Sequence, residues 1–365
     1  MASRVSALDA TVRALGAEMG EWNDMAVAFG FPNDPHLEHD AIREAVGIWD
    51  TSALTKIQVR GRDALAAVDY LVTRDMTRID VGQSAYCPIL KEDGHFCDDA
   101  IIFHVAENHF LVASAIGPSL QLLQDYARDR DLEVELDENL HIITLQGPKS
   151  IDFLETQTGS DLRSLPFCHQ VHANVCGQDM MVSRTGYSGE RGYELFMGAD
   201  VVADVWQELM RQGAPFGLRP ISFGGLEMVH IESGLMAYGA EATEENTPWE
   251  VDMGWAVARN KGDFRGKQAV FALEGKEKVK FYGIVADHDD VVEHNADLLI
   301  DGEKVGHVTT PAYSRRLGKS LALVHLDPRA AQPGTRLQVA SADFNGSATV
   351  EEIPFFDPAK TRTHA

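Results

Sequence analysis

The residues best suited to chemistry fall in two short blocks. The first runs from Ser183 to Leu195 and reads Ser-Arg-Thr-Gly-Tyr-Ser-Gly-Glu-Arg-Gly-Tyr-Glu-Leu. Gly186, Gly189 and Gly192 allow a tight turn and close approach of a ligand to the backbone. Glu190 and Glu194 stand at either end of the run. A carboxylate accepts two parallel hydrogen bonds, which suits a guanidinium or a planar multi-donor ring such as a pterin. The same spacing also describes a Gly-rich hairpin with solvated carboxylates. The second block, Tyr86 to Val105, carries Asp98 and Asp99 at the start of an apolar stretch. Adjacent strand residues point to opposite faces, so at most one of the two enters a given pocket. A carboxylate there needs a partner or its pKa rises, unless it simply bonds a turn at the strand end.

Other chemistry is not suggested. Cys87, Cys97, Cys168 and Cys176 form no C-x-x-C pair and have no histidine at metal-ligand spacing, so free thiols and no metal site are expected. There is no Ser/His/Asp signature and no dinucleotide fingerprint. Catalysis would then rest on positioning two reactants and on electrostatics around a carboxylate.

The elements that must hold these blocks alternate in type along the chain. Val5, Leu8, Val12, Leu15 and Met19 recur at helical spacing and predict an opening helix. Leu37 to Gly47 predicts a second helix that stops at its glycine, and Asp63 to Thr73 a third. Glu92-Asp93-Gly94 is a hairpin turn leading into the Asp98-Asp99 strand. Helices follow over Pro118 to Arg128 and Val202 to Met210. A hairpin about Gly177-Gln178-Asp179 leads into the Gly-rich block, and Tyr193 to Phe196 continues it as a strand. From Val279 onward short strands and turns take over, with a hairpin on Asp301-Gly302. Pro358 to Ala365 reads as a frayed end.

A chain of 365 residues exceeds one ordinary core, so two or three domains are expected. Lys and Arg number 32 against 56 Asp and Glu, a formal charge of −24. That excess argues against nucleic acid and anionic membranes as partners. No secretory leader and no bilayer-spanning apolar run is visible, so a cytoplasmic location is expected.

The Gly-rich block resembles the "R-T-G-Y-T-G-E-x-G-Y-E" segment of the aminomethyltransferase family, which includes the glycine cleavage T-protein and related folate-dependent demethylases. The Tyr86 block is similar to that family's "Y-x-x-x-x-N-x-x-G-G-x-x-D-D-x-x-V". Looser matches cover Leu37 to Ser52, His141 to Pro148, Met228 to Gly239, Thr247 to Val257 and Asp263 to Lys267. Departures are local. Lys91 and His95 replace an asparagine and a glycine, Leu226 stands where T-proteins carry an arginine, and Asp287 to His294 lacks another.

The resemblance implies an α+β, three-domain clover-leaf around a channel for tetrahydrofolate. Its domains would be 1–50 with 141–245, 51–140 with 246–278, and a C-terminal β-barrel-like domain, 279–365. It implies that Asp99 orients the folate and stabilises charge at the transferred carbon. Glu194 would bind the pterin edge, Glu190 and Tyr187 would shape its loop, and Tyr86 would line the channel. Tyr238, Trp249 and Trp255 are candidates for the substrate pocket. The expected activity is methyl transfer from a small methylated donor (sulfonium, quaternary amine or aryl ether) to N5 of tetrahydrofolate, as in the dimethylsulfoniopropionate demethylase branch. The alternatives are a T-protein served by a lipoyl carrier and giving 5,10-methylenetetrahydrofolate, and a non-catalytic folate-binding regulator. The acidic charge would repel an acidic carrier, which is the argument for a free donor.

Overall fold

The computed structural model describes residues 2–341 and 345–365. Three sheets organise them. A six-stranded sheet runs in the order Gln170–Val175, Gln178–Ser183, Gly192–Gly198, Leu140–Gln146, Val46–Asp50, Leu218–Pro220, and the last pair is its parallel one. A five-stranded sheet follows the order Ser84–Leu90, Phe96–Ala106, His109–Ser114, Thr55–Arg60, Glu133–Leu136. A closed barrel is made by Lys280–Ala286, Lys319–Leu326, Glu303–Ser314, Asp297–Ile300, Arg336–Ala340 and Asn345–Glu351. No helix among the described residues is long and apolar enough to cross a membrane.

Each of the two open sheets buries one face under helices. Helix Val202–Gly213 sets Val202, Val205, Trp206 and Leu209, at steps of three and four, against Ile143, Leu145 and Leu195. Helices Ala64–Leu71 and Ser119–Ala127 cover Ile57, Val59, Ile102 and Val112 of the second sheet. The opposite faces pack on each other through Phe103, Leu111, Ile142, Met181 and Phe196, with Phe103 edge-on to Phe196 at 5.1 Å. The central strands are therefore apolar on both faces. Glu194 and Asp99 are the polar exceptions that matter below.

Four local expectations are corrected. The opening helix spans Asp9–Ala14 alone. The chain turns at Gly16 (φ +83°), and Met19 lies in a hairpin of Glu18–Trp22 with Met25–Gly30. The second helix, Pro35–Glu44, stops before Gly47 because Val46–Asp50 is drawn into the large sheet. The hairpin before the Gly-rich block turns at Cys176-Gly177, with Gln178 and Asp179 already in its second strand. The end of the chain is docked: Arg362 Nε donates to both oxygens of Glu190, and the Ala365 carbonyl accepts from Arg184 Nη2 at 2.8 Å and Arg191 Nη1 at 2.5 Å.

Candidate active site

Strand Phe96–Ala106 separates the two aspartates as its period of two requires. Asp98 is fully buried, accepts a bond from the Ser119 hydroxyl and receives its neighbour's N–H at 2.9 Å. It closes against Gly117, where a Cβ would come within 2.4 Å of its own side chain. Asp99 emerges on the other face. Its diagonal neighbour on the adjacent strand, Tyr86, donates its hydroxyl to Asp99 Oδ2 at 2.5 Å. Desolvation pushes the Asp99 carboxyl up to about 7; the Tyr86 hydrogen bond opposes the rise and the charge of Asp98 adds to it. Burial, and next the Asp99 charge, holds the Tyr86 phenol well above its usual range.

Two more phenols share this neighbourhood. Tyr187 is raised by burial and then by the charges of Glu241 and Asp99, and its hydroxyl is buried without a hydrogen-bond partner among the described residues. Tyr238 is raised by burial and by nearby carboxylates including Asp99, and its ring lies 6.3 Å from Phe96. Asp99, Tyr86, Tyr187 and Tyr238 thus converge from stretches up to 152 residues apart, Tyr86 to Tyr238.

The Gly-rich block connects strands Gln178–Ser183 and Gly192–Gly198. Its glycines serve the protein itself. A Cβ at Gly186 would lie 1.9 Å from Gln146 Nε2 and one at Gly192 would lie 2.1 Å from Gln146 Cδ. The space is taken by that amide, which bonds Thr185 O at 3.0 Å and accepts from the Ser188 hydroxyl at 2.6 Å. The two glutamates have different fates. Glu194, on the strand, is buried, is raised by that burial, and takes one hydrogen bond among the described residues, from Thr185. Glu190 is committed to the protein: Arg43 Nη1 at 2.8 Å and Arg362 Nε at 2.7 Å both reach it. Burial raises its carboxyl, and the two guanidinia oppose that rise. It shapes the loop through these ion pairs and has no oxygen free of cations.

Arg43 is the hub that sequence reasoning missed. From helix Pro35–Glu44 it donates to Glu190, Ser188 O, Val229 O, Ser233 Oγ and Glu232, whose other oxygen accepts from Ser314 of the barrel at 2.5 Å. One buried guanidinium therefore joins the Gly-rich block, helix Phe223–Glu232 and, through Glu232, the barrel. His230 and Glu241 were missed as well, and nothing in local spacing marks them. The tryptophans separate. Trp249 donates its indole N–H to Val270 O at 2.7 Å, and its ring centroid lies 6.1 Å from that of Phe271. Trp255 is 64 % exposed with the Arg74 guanidinium 5.5 Å above its ring. All four cysteines are free thiols.

Comparison with known proteins places this arrangement in a lineage. The family model for the GCVT N-terminal domain matches residues 8–261, and that for the glycine cleavage T-protein C-terminal barrel domain matches 280–357. A heme-dependent oxidative N-demethylase gamma subunit of Ectopseudomonas mendocina is 34 % identical, with 99 % of this chain and 98 % of that protein aligned. An aminomethyltransferase of Saccharopolyspora erythraea is 33 % identical over 94 % of this chain and 95 % of its own length. The crystal structure of the glycine cleavage system aminomethyltransferase T of Bartonella henselae superposes with a TM-score of 0.90 over 97 % of this chain and 98 % of that one, at 22 % identity. The α+β architecture, the closed barrel and both family models agree, and the chain belongs to the glycine cleavage T-protein family of one-carbon transferases.

Proposed function

We propose that this enzyme transfers a one-carbon unit at the formaldehyde oxidation level from a nitrogen-linked donor to tetrahydrofolate, giving 5,10-methylenetetrahydrofolate. The observation that carries the reading is the Asp99–Tyr86 pair: a desolvated carboxylate, poised near neutral pH, on the face opposite its structural neighbour Asp98. Such a group stabilises the positive charge that develops on a methylene carbon as its bond to nitrogen breaks. The folate substrate fits the residues present. The buried, lightly bonded Glu194 carboxylate is a group that a polar ring would satisfy.

The relatives support a nitrogen-linked carbon over sulfonium or aryl-ether methyl donors. The names of these relatives, "aminomethyltransferase" and "oxidative N-demethylase", both describe a carbon carried on nitrogen. This moves the weight from the methyl-transfer reading to the aminomethyltransferase alternative. It leaves two sources of the carbon, an aminomethyl group on a lipoyl carrier or the product of N-methyl oxidation by another subunit. The formal charge of −24 remains an argument against an acidic carrier.

Mass spectrometry of the folate formed from tetrahydrofolate tests this. Supplied in parallel are an aminomethyl-loaded carrier, an N-methylamine with an oxidising system, and a panel of methyl sulfonium and aryl ethers, each corrected for the enzyme-free reaction. Methylenetetrahydrofolate from either nitrogen donor is the expected product. Formation of 5-methyltetrahydrofolate from a sulfonium or ether would overturn the proposal.

A further inference from the structure

Beside Asp99 lies a second set of polar groups, from three further parts of the chain. On helix Phe223–Glu232, Glu227 and His230 are three residues apart and so share a face. Glu227 is exposed and makes no hydrogen bond or ion pair among the described residues. His230 is 8 % exposed, and its Nε2 is buried with no hydrogen-bond partner among the described residues. That nitrogen lies 3.7 Å from Glu241, beyond hydrogen-bond length. Glu241 is fully buried and held from behind by the Ala237 N–H at 3.0 Å and by the hydroxyls of Thr309 and Thr310 of the barrel. Burial would raise its carboxyl, but His230, Thr310 and the Ala237 N–H together bring it below its ordinary value. The Tyr187 ring lies 5.9 Å from the His230 ring at 30°, and its orphaned hydroxyl feels both Glu241 and Asp99.

Two orphaned buried polar atoms in adjacent rings are costly unless something bridges them. The surroundings specify what that is. Glu227 and Glu241 supply negative charge, and the faces of Tyr187 and Tyr86 favour a cation. Partial desolvation raises the Glu227 carboxyl; His230 opposes the rise, Glu241 adds to it, and His294, from the barrel side, opposes it. A folded anionic tail or a neutral ether meets only repulsion or unpaired carboxylate here. An alkylammonium group suits it, with its N–H donors shared among the free carboxylate, the phenol and the unpaired His230 Nε2.

We propose that Glu227, His230 and Tyr187, with Glu241 bracing His230, form the subsite for the amine half of the one-carbon donor, one face of the same space that Asp99 serves. The inference rests on the nitrogen-linked reading above. The chemistry balances without an oxidant. The carbon exchanges two heteroatom bonds for bonds to N5 and N10 of the folate. From an iminium both bonds to nitrogen are replaced; from an aminomethyl thioether one carbon–nitrogen and one carbon–sulfur bond are. The departing amine, with the thiolate in the second case, takes up the two protons that the folate nitrogens give up. The subsite holds the amine so that its nitrogen leaves away from the folate, and it retains the product as a cation. Glu227, His230 and Tyr187 touch the amine. Glu241 acts through His230 and is a positioning residue.

The test is direct binding of dimethylammonium chloride to the full-length enzyme, followed by broadening of its methyl proton resonance against sodium chloride at equal ionic strength. Saturable binding is expected, weakened at least tenfold in Glu227→Gln. His230→Phe should weaken it by a comparable factor, while Glu227→Gln, a surface change, leaves the melting temperature and tetrahydrofolate affinity as they are. No saturable binding to the wild type, or equal binding in Glu227→Gln, would overturn the subsite. A merely structural His230–Glu241 pair predicts the latter result. Because the probe is an amine without folate, methylenetetrahydrofolate formation with unaltered amine binding sinks this inference alone. Amine binding without folate product sinks the proposed reaction instead.

Discussion

Replacing Asp99 by Asn should push activity and stability in opposite directions. The change keeps an oxygen for the Tyr86 hydroxyl and removes the charge. If that charge stabilises the reacting carbon, its loss should cost about 10²–10³ in turnover, or roughly 3–4 kcal/mol, as for a preorganised electrostatic group in a dry site. Stability moves the other way. The folded-state pKa of about 7 lies above the ordinary 3.8, so the folded chain holds this proton more tightly than the unfolded one. Stability is therefore lost as pH rises from about 4 through about 7, by at most about 4 kcal/mol, and stays lost above. Asn removes that loss, so the variant should melt higher than wild type at pH 8, and by less than half that margin at pH 5. The wild-type kcat/KM should climb about tenfold between roughly pH 6 and pH 8, as the ionised fraction rises from about one-tenth to about nine-tenths. That limb should vanish in the variant. The assays are initial-rate folate analysis across pH and calorimetric melting at the two pH values. Unchanged turnover, or a limb that survives the substitution, would remove Asp99 from the chemistry.

Other substitutions separate binding from scaffolding. Tyr86→Phe removes the hydrogen bond that holds the Asp99 carboxyl down, so the kcat/KM limb should move to higher pH; no movement would deny the coupling. Arg43→Ala leaves Glu190 and Glu232 as buried carboxylates with fewer partners and should cost about 3–5 kcal/mol in denaturant melts, whatever the ligand. Glu190→Gln should lower the melting temperature more than it changes the KM for tetrahydrofolate, whereas Glu194→Gln should do the reverse. Equal KM effects would return Glu190 to the ligand. Trp249→Phe should cost stability through the lost bond to Val270 O and leave steady-state constants within about twofold.

Much of the site was legible because the signals were local. The alternation of a strand puts Asp98 and Asp99 on opposite faces wherever that strand ends up. The Glu92-Asp93-Gly94 turn sets Tyr86 diagonal to Asp99 across a hairpin. The change from helical to short-strand patterning after Val279 marks the barrel that closes over 280–351. Other readings failed where a distant segment competes for the same residues. Val46–Asp50 has helical neighbours and a glycine stop, yet two sheet strands claim its backbone.

Composition and spacing determined by themselves that this is a mixed α/β protein with a β end, a Gly-rich turn and a paired-aspartate strand, because those features depend on neighbours a few residues away. Only the tertiary structure decided what each carboxylate does. Glu190 and Glu194 are four residues apart in one motif and look interchangeable. One meets Arg43, 147 positions away, and becomes an ion pair; the other lies on a central strand with a single hydroxyl for company. The same holds for His230 and Glu241, which become a site only when a helix, a loop and two barrel threonines enclose one space. A side chain's charge is written in the sequence, but the dielectric and the partners that set its role belong to the fold.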